Sequence, residues 1–324
     1  MVSRQPMVIK KIFEIEKKPR KGLMAFEWAV MAYLVFTLLL MMITYTKLQH
    51  PGEMLWGRVQ VVISTLALWG VYRMVPCRLT MMFRVALQLI LLSWWYPDTY
   101  ELNQVFPNLD HVFAGYEQQL FHCQPALLFS QLLSNPVFSE LIHLGYASYY
   151  PLIALVTVFY FLYRYQEFSR VVFIILASFM LYYVIFVLLP VTGPQYYYLA
   201  AGVDQIAQGN FPNVGDYFAT HSEALTMPGW KDGFFYQCVA SAHEAGERPT
   251  AAFPSSHVGV TTILLLLAWH ARNRKLLYTI LPFYVLMCFA TVYIQAHYVV
   301  DVIGGWVSAV VIYAFLFFLS KKFV

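Results

Sequence analysis

The sequence predicts an all-α fold, a polytopic bundle of about eight membrane-spanning helices. Of the 324 residues, 60% are hydrophobic and only 12% are charged, whereas soluble globular domains carry about 25% charged residues. The apolar residues also gather into eight runs of about the length that a helix needs to cross the hydrocarbon core of a bilayer. Together these two observations place the chain among integral membrane proteins.

The eight predicted spans follow one another along most of the chain. They cover residues 24–46, 59–75, 79–96, 144–163, 171–189, 253–269, 276–295 and 302–319. The second and third are the least clearly bounded, because Arg58, Arg73 and Arg84 lie near their ends. Two long segments, 97–143 and 190–252, are rich in Tyr, Phe, Pro and Asn. We expect them to form ordered caps or interfacial helices rather than disordered tethers.

The distribution of positive charge predicts the orientation. With a cytoplasmic N-terminus, 17 of the 21 Lys and Arg residues fall on the cytoplasmic side, as the positive-inside rule requires. Both termini are then cytoplasmic and both caps are extracytoplasmic. The chain divides into a basic head at 1–23 without a cleavable signal peptide, two peripheral helices in 24–78, and a six-helix core in 79–324.

Charge and cysteine content exclude other classes of protein. The net charge of +4 is not gathered on one soluble domain, so it does not indicate nucleic-acid binding. The four cysteines lack the spacing of a zinc or iron–sulfur site. Cys123 and Cys238 fall one in each cap. Either a disulfide in an oxidising compartment or two free buried thiols fits this placement.

The first polar motif is Ala251-Ala-Phe-Pro-Ser-Ser-His257, at the start of the sixth span. Proline suits the first turn of a helix, and the N–H groups that follow it have no partner within the helix. Together with the positive end of the helix dipole they form a binding site for a phosphate, to which the hydroxyls of Ser255 and Ser256 add donors. The alternative is an ordinary N-cap formed by a serine.

The second motif is His297-Tyr-Val-Val-Asp301, between the seventh and eighth spans. Residues four apart share one face of a helix. An aspartate that accepts from one imidazole nitrogen fixes the tautomer and leaves the other nitrogen free as a nucleophile. The alternative is that Asp301 caps the last helix and His297 is an interfacial histidine.

A third cluster, Gly193-Pro-Gln-Tyr-Tyr-Tyr198, ends the fifth span, so all three clusters fall on the same predicted face of the membrane. Gln195 and Tyr196 are the candidate substrate contacts in it. The tyrosines equally fit an aromatic belt at the interface. Gly304-Gly305 predicts close packing of the last helix against a neighbour. The remaining histidines show no pairing pattern and are interpreted as loop residues, including His143 and His243.

The order Pro254-Ser255-Ser256-His257, then His297 and Asp301, resembles the type 2 phosphatidic acid phosphatase superfamily. The resemblance covers about six spans, from Leu79 to the end. It implies that His297 is the nucleophile that forms a phosphohistidine and that Asp301 orients it. It also implies that His257 protonates the leaving alkoxide and that Ser255 contacts the phosphate.

The departures from that family pattern point to one branch of it. Ser256 replaces the usual glycine, and Thr291 stands where the family has an arginine. The Lys-x6-Arg-Pro element is replaced by Leu189-Pro-Val-Thr-Gly-Pro-Gln-Tyr. These departures, with His-Tyr-x-x-Asp-x-Ile-Gly-Gly at the end, look like the sphingolipid-synthase branch, which contains inositol phosphorylceramide synthases and sphingomyelin synthases.

The resemblance implies an enzyme that transfers a phospho-head-group from a phospholipid to a ceramide-like acceptor, as an inositol phosphorylceramide synthase does. No cofactor is expected, and no metal, because no Asp-rich phosphotransferase motif and no phosphate-binding glycine loop is present. One alternative is a lipid phosphate phosphatase whose acceptor is water. An alternative of another class is a transporter, which would carry ionisable residues at mid-membrane.

The missing arginines leave the cationic phosphate clamp unassigned. On the predicted topology only Lys47, Arg58, Lys231 and Arg248 lie on the side of the motifs. Arg248 precedes His257 by nine residues, and its planar guanidinium suits two phosphate oxygens. We therefore expect Arg248 to supply the clamp, the alternative being a solvated loop charge.

Overall fold

A computed structural model describes residues 11–323, and within that range the chain is helical without a β-sheet. Residues 1–10 of the predicted basic head lie outside the described residues, as does Val324. The helices are α1 Ala25–Thr44, α2 Pro51–Met74, α3 Arg78–Asn103, α4 Asp110–Phe121, α5 Pro125–Leu132, α6 Pro136–Ala147, α7 Tyr149–Tyr163, α8 Tyr165–Leu188, α9 Pro194–Ala201, α10 Val203–Ala207, α11 Phe234–Gly246, α12 Ser256–His270, α13 Arg274–Tyr293 and α14 Val299–Phe323.

The predicted polytopic helical bundle is confirmed. Six of the described helices are long and apolar enough to span a membrane, namely α1, α2, α3, α8, α13 and α14. The consecutive helices α6 and α7 meet at a 47° bend and together form a seventh candidate span. The remaining predicted span, the sixth, corresponds to α12, whose 15 residues extend over about 22 Å. That is shorter than the hydrocarbon core of a bilayer, about 30 Å.

Two buried ion pairs explain how arginines fit near the ends of the second and third spans. Arg58 of α2 donates two hydrogen bonds of 2.8 Å to the carboxylate of Asp98 on α3. Arg84 of α3 pairs in the same bidentate way with Glu27 of α1. Because each charge meets an opposite charge and stays hydrogen-bonded, the arginines can lie inside the bundle. The helices therefore continue past the predicted ends, and α3 reaches Asn103.

Helix α8 is the centre of the bundle. It packs against α1, α3, α7, α12 and α14, and most of its length is buried among them. Its own large aromatic and aliphatic side chains, such as Phe168, Ile174 and Phe186, form part of the main hydrophobic core. A helix that is apolar all round is suited to such a position.

The segments between the spans meet at one end of the bundle. Asn103, at the end of α3, hydrogen-bonds Thr250, just before α12. The backbone N–H of Gln195 in α9 donates to the carbonyl of Gln295, after α13, at 2.8 Å. Helices form in both segments that the sequence predicts as caps. Three distant parts of the chain are thus brought to the same end of the molecule.

The glycine pair Gly304-Gly305 lets α14 approach the start of α12, as the sequence predicts. A Cβ atom on Gly304 would lie 2.5 Å from the ring of Phe253, and one on Gly305 would lie 2.7 Å from the carbonyl oxygen of Ser255. Real Cβ atoms do not approach other heavy atoms so closely, so the absence of a side chain at both positions fixes where the two helices cross.

We expect Gly305→Val to destabilise the protein because the new side chain meets backbone, which cannot rotate away. Overpacking of this kind costs about 1–3 kcal/mol, measurable as a lower thermal midpoint of the purified protein. Gly70→Val in α2 is the matched control, since no heavy atom lies within 4 Å of its added Cβ. Equal midpoints for the two variants would show that the crossing of α12 and α14 tolerates the added side chain.

Candidate active site

His297 lies in the turn between α13 and α14, where three contacts fix its position. Its backbone N–H donates to the carbonyl of Thr291 at 3.0 Å. Its ring Nδ1 donates to the carbonyl oxygen of Ala252 at 2.8 Å. A carbonyl only accepts, so the proton of the neutral ring is on Nδ1. The second nitrogen, Nε2, has no hydrogen-bond partner among the described residues and carries the free lone pair.

Asp301 caps the last helix and also lies near the imidazole of His297. Its Oδ2 accepts from the backbone N–H of Tyr298 at 2.8 Å, which caps the start of α14. The same oxygen lies 3.5 Å from Nδ1 of His297. The carbonyl of Ala252 is therefore the close partner of the imidazole, and the carboxyl group of Asp301 lies at a longer distance. The backbone of Asp301 also accepts from the N–H of Ser255 at 3.0 Å, which joins the two motifs directly.

His257 lies in the first turn of α12 and faces His297. The two ring centroids are 5.8 Å apart and the rings meet edge to face. Tyr146 stacks on His257 at 4.5 Å, and Tyr149 packs against it at 4.3 Å. These aromatic neighbours hold the imidazole in place, while its Nδ1 is buried without a partner. The imidazoles of the two motifs thus occupy one site, as the sequence predicts.

The serines of the first motif differ in position. Helix α12 begins at Ser256, three residues after the predicted start, because Ser255 is its N-cap and accepts from the N–H of Val258 at 3.4 Å. Ser255 is fully buried and its own N–H is bound to Asp301. Ser255 therefore does not line the cavity that holds the two imidazoles. Ser256 does line the cavity beside His257.

A cavity of about 550 Å³ holds both imidazoles. It opens between α3, α6, α7, α8, α11 and the start of α12. Six tyrosine and phenylalanine side chains and three imidazoles contribute to its lining. The lining residues include Tyr96, Tyr146, Tyr149, Tyr150, Phe179, Tyr183, His243, Glu247, Ser256, His257 and His297. No Lys or Arg side chain of the described residues lines this cavity.

The environment of His297 keeps the ring neutral. Burial lowers the pKa of His297 to about 4, and the hydrogen bond to Ala252 and the charge of Glu247 only partly oppose that shift. At neutral pH the imidazole therefore carries a free lone pair on Nε2 rather than a second proton. A neutral ring with one nitrogen fixed and the other free is chemically competent as a nucleophile.

Three predicted substrate contacts lie outside the cavity. Arg248 is exposed, lines a neighbouring groove and donates from Nη1 to the carbonyl of Glu247 at 2.9 Å. The predicted clamp is thus not formed in this structure, because Arg248 lines that groove and not the cavity that holds the imidazoles. Gln195 and Tyr196 are buried. Gln195 is engaged through its backbone with Gln295 and Leu225, and Tyr196 packs on Phe218.

The tyrosine run belongs to a buried layer rather than to a belt at the membrane interface. Tyr197 and Tyr198 are fully buried in α9. The hydroxyl of Tyr197 donates to the carbonyl of Pro212 and that of Tyr198 to Gln124, both at 2.9 Å. The interpretation of this run as an aromatic belt is therefore wrong, because the rest of the cap covers the helix.

Helix α4 carries two buried carboxyl groups that support the turn of His297. Asp110 accepts from the N–H groups of Thr192 and Gly193 at 2.7 and 2.9 Å and from the hydroxyl of Tyr298 at 3.0 Å. Burial raises the pKa of Asp110, and these N–H donors oppose that shift. Asp110 therefore ties the segment after α8 to the residue that follows His297.

Glu117 is the second of these groups and lies two helical turns after Asp110. Its Oε1 accepts from the backbone N–H of Val299 at 2.5 Å, and Oε2 is buried without a partner. Burial raises the pKa of Glu117 to about 8. Asp110 and Glu117 are seven residues apart, which places both side chains on one face of a helix. This spacing is the sequence feature from which their shared role could have been predicted.

We expect Asp110→Ala to lower the thermal midpoint of the protein markedly. The substitution leaves at least three buried donors without an acceptor, and each unsatisfied buried group costs about 1–3 kcal/mol. Asp216→Ala is the control, because that aspartate is exposed in the second cap. A midpoint for Asp110→Ala equal to that of the control would contradict the structural role of this carboxylate.

The cysteines of the two caps and His243 occupy positions that the sequence left open or did not predict. Cys123 and Cys238 are both free thiols, the first half-buried and the second exposed, so the caps are not bridged. His243 is not an isolated loop histidine, because it lies on α11, lines the cavity and packs edge to face on Tyr146 at 5.7 Å. The sequence did not predict that His243 lines the cavity, because this histidine is far from both motifs in the chain.

Comparison with known proteins identifies the family of the chain. A family model described as the PAP2 superfamily matches residues 112–315, well over half of the chain. Neither a curated protein nor a solved structure matches the chain. Members of the superfamily are typically phosphatases and phosphotransferases. The matched region contains His257, His297 and Asp301, and the chain belongs to the PAP2 superfamily.

Proposed function

We propose that this protein transfers a phospho-head-group from a phospholipid to a ceramide-like lipid alcohol through a covalent intermediate on His297. One observation carries the proposal. His297 is a buried neutral imidazole whose Nδ1 proton is committed to Ala252, with Nε2 free and a second imidazole 5.8 Å away between ring centroids. This is the arrangement that nucleophilic catalysis by histidine requires.

In the first half-reaction Nε2 of His297 attacks the phosphorus of the donor. An N–P bond forms and the bond between phosphorus and the glycerol oxygen breaks. His257 enters this step as the imidazolium and gives its extra proton to that oxygen, so diacylglycerol leaves as the neutral alcohol and His257 becomes neutral. Because the hydrogen bond from Nδ1 to Ala252 is retained, the ring keeps its orientation while it carries the phospho-group. Positioning and charge stabilisation dominate such reactions.

The second half-reaction reverses these roles. The hydroxyl of the acceptor gives its proton to His257, its oxygen attacks phosphorus, and the N–P bond breaks. The free N–H groups at the start of α12 support the phosphoryl oxygens in both steps. The N–H groups of Ser256 and His257 have no carbonyl partner among the described residues, and a helix N-terminus favours negative charge.

The cavity supports a lipid substrate. From the two histidines it runs toward the apolar part of the bundle, where Ser93 of α3 and Phe179 and Tyr183 of α8 line it. Apolar and aromatic walls with a few convergent polar groups are typical of sites for amphipathic ligands. A lipid hydroxyl can approach His257 from this side, which favours a lipid acceptor over water.

Product analysis of the purified protein tests this function. The protein is incubated in EDTA with radiolabelled phospholipids, with and without ceramide, and the lipids are resolved. We expect the labelled head group to appear on ceramide with release of diacylglycerol, because histidine supplies the nucleophile without a metal. A water-soluble phosphate product with or without ceramide would instead assign the phosphatase. Activity that needs magnesium would contradict the mechanism.

We further propose that the site opens on the extracytoplasmic face, with both described ends of the bundle cytoplasmic. Cys238 reports on this, since its thiol is exposed on α11 and α11 borders the cavity. In sealed cells that contain the Cys123→Ser protein, a membrane-impermeant maleimide should label Cys238 from outside, and adding Cys238→Ser should abolish that labelling. Labelling only after permeabilisation would reverse the orientation.

A further inference from the structure

The two caps at the active-site end of the bundle differ in their charge. From His111 to Ser139 the sequence contains a single Asp, Glu, Lys or Arg, which is Glu117, and its side chain is buried. The second cap instead exposes charged side chains along its length, namely Asp204, Asp216, Glu223, Lys231, Asp232 and Glu244. Because charged side chains favour contact with water, the surface of the second cap is suited to solvent and that of the first cap is not.

Helix α4 of the first cap is polar toward the protein and apolar toward the outside. Val112, Tyr116 and Leu120 are exposed, and their spacing of four residues places them on one face. The buried face carries Asp110 and Glu117, which bind the start of α14. A helix at the surface of a soluble protein has the reverse arrangement, with its polar side chains outward. The outward side of α4 is therefore suited to apolar surroundings.

Exposed apolar side chains continue from α4 along α5 and the start of α6. Among them, Leu132 and Val137 are 77% and 70% exposed. The outer face of the first cap is defined here by the large apolar residues exposed along this stretch, which are Val112, Tyr116, Leu120, Leu128, Leu132, Leu133, Val137 and Leu141. An apolar surface of this extent indicates contact with a membrane or a partner rather than with water.

Helix α13 shows at which depth the first cap lies. Its 20 residues extend over about 30 Å, which matches the hydrocarbon core of a bilayer. The ring of Phe129 in α5 packs against those of Phe289 and Tyr293 in α13, at 6.3 and 5.4 Å between centroids. Phe289 lies one helical turn before the end of α13. Helix α5 is therefore level with the last turn of a membrane-spanning helix, at the edge of the hydrocarbon.

The space beneath α5 is continuous with surfaces that face lipid. A cavity of about 420 Å³ opens there between α13 and α14, lined by Phe129, Val285 and Trp306 among other residues. Val285 lies eight residues before the end of α13, which is about 12 Å further into the membrane. Val285 and Trp306 are exposed on two of the candidate spans. The outer face of the first cap thus borders the lipid-facing surface of the bundle.

We propose that the first cap is embedded in the lipid leaflet at the active-site end of the bundle, with its outer face against acyl chains, while the second cap lies in water. The leaflet supplies the apolar surroundings to which the outward side of α4 is suited. Asp110 and Glu117 of the same helix hold the turn of His297 from the inside, so α4 links the leaflet to that turn. The embedding holds for either orientation of the bundle and for any reaction at the site.

Photolabelling of the wild-type protein in phospholipid nanodiscs tests the embedding. The nanodiscs contain a phosphatidylcholine with a diazirine on one acyl chain, and the labelled peptides are mapped after irradiation. We expect label in the peptides that contain Leu120 and Leu132, as in the end of α1, where Met42 and Ile43 are exposed on a candidate span. Peptides of the second cap around Asp216 should carry none.

Oxidation by hydroxyl radicals in the same nanodiscs gives the complementary measurement, because these radicals react from water. Residues around Asp216 should be oxidised, while Tyr116 and Leu132 should be protected. Oxidation of the outer face without lipid label would show that the first cap faces water. Protection from both reagents would show that protein, such as a second copy of the chain, covers it. Either result would overturn the proposal.

A pair of aspartate substitutions tests the same contact by its effect on stability. Leu132→Asp places a carboxylate in the leaflet, where charge is unfavourable, so the thermal midpoint in nanodiscs should fall by about 2–4 °C or more. Thr226→Asp is the control, since Thr226 is exposed in the second cap, and its midpoint should stay that of the wild type. Equal midpoints for the two variants would contradict the contact of Leu132 with lipid.

Discussion

Replacing His297 by alanine is expected to abolish turnover while the fold is retained. No other described side chain combines a free imidazole nitrogen, a fixed tautomer and a position beside His257. Removal of a catalytic nucleophile that acts in a unit costs roughly 10³-fold or more. The rate of head-group transfer is measured on protein that elutes as a single species with an unchanged thermal midpoint.

His221→Ala is the control for this substitution. His221 is exposed and stacks on Tyr217 in the second cap, outside the cavity, so its loss should leave the rate unchanged. If His297→Ala retains more than a trace of activity, another group carries the phospho-intermediate or none forms. Either result would contradict the covalent mechanism.

The second large effect is expected for His257→Ala, and its size should depend on the leaving group. With a natural phospholipid the rate should fall about 10²–10⁴-fold, the usual contribution of a general acid. A nitrophenyl ester of the same phospho-head-group releases a stable phenolate that needs no proton. The variant should therefore recover most of its activity in the step that releases nitrophenol.

Both substrates are measured on the same preparation, which separates the chemistry from a change in folding. Tyr146 and Tyr149 flank the ring of His257, so His257→Gln provides a second variant that fills more of the space between them. Equal losses with both substrates in both variants would exclude His257 as the proton donor and assign it to binding.

The elements that the sequence predicted correctly are those governed by local pattern. Runs of apolar residues define the spans, and the four-residue spacing of His297 and Asp301 places them in one turn. The meeting of His257 and His297 followed from topology, since each motif begins a helix at the same end of the bundle. The errors at the predicted helix ends arise because local pattern does not reveal the buried partners of the arginines. Buried partners such as Asp98 and Glu27 neutralise Arg58 and Arg84, and these partners are distant in sequence.

The remaining parts of the site depend on tertiary contacts that spacing does not encode. The partner of the His297 ring is a backbone carbonyl, that of Ala252, and every residue has one. Glu247 and His243 enter the cavity because α11 folds over it. Arg248 was predicted to contact the substrate because it is near His257 in sequence. The direction of a loop side chain does not follow from that distance.

Trapping the covalent intermediate tests the central mechanism most directly. The protein is mixed for a single turnover with a phospholipid labelled in the phosphorus, quenched under alkaline conditions that preserve phosphohistidine, and digested for peptide mapping. We expect the label, with its head group, on the peptide that contains His297, and its disappearance when ceramide is added before the quench. Product formation without label on His297, or label on a different residue, would contradict transfer through this histidine.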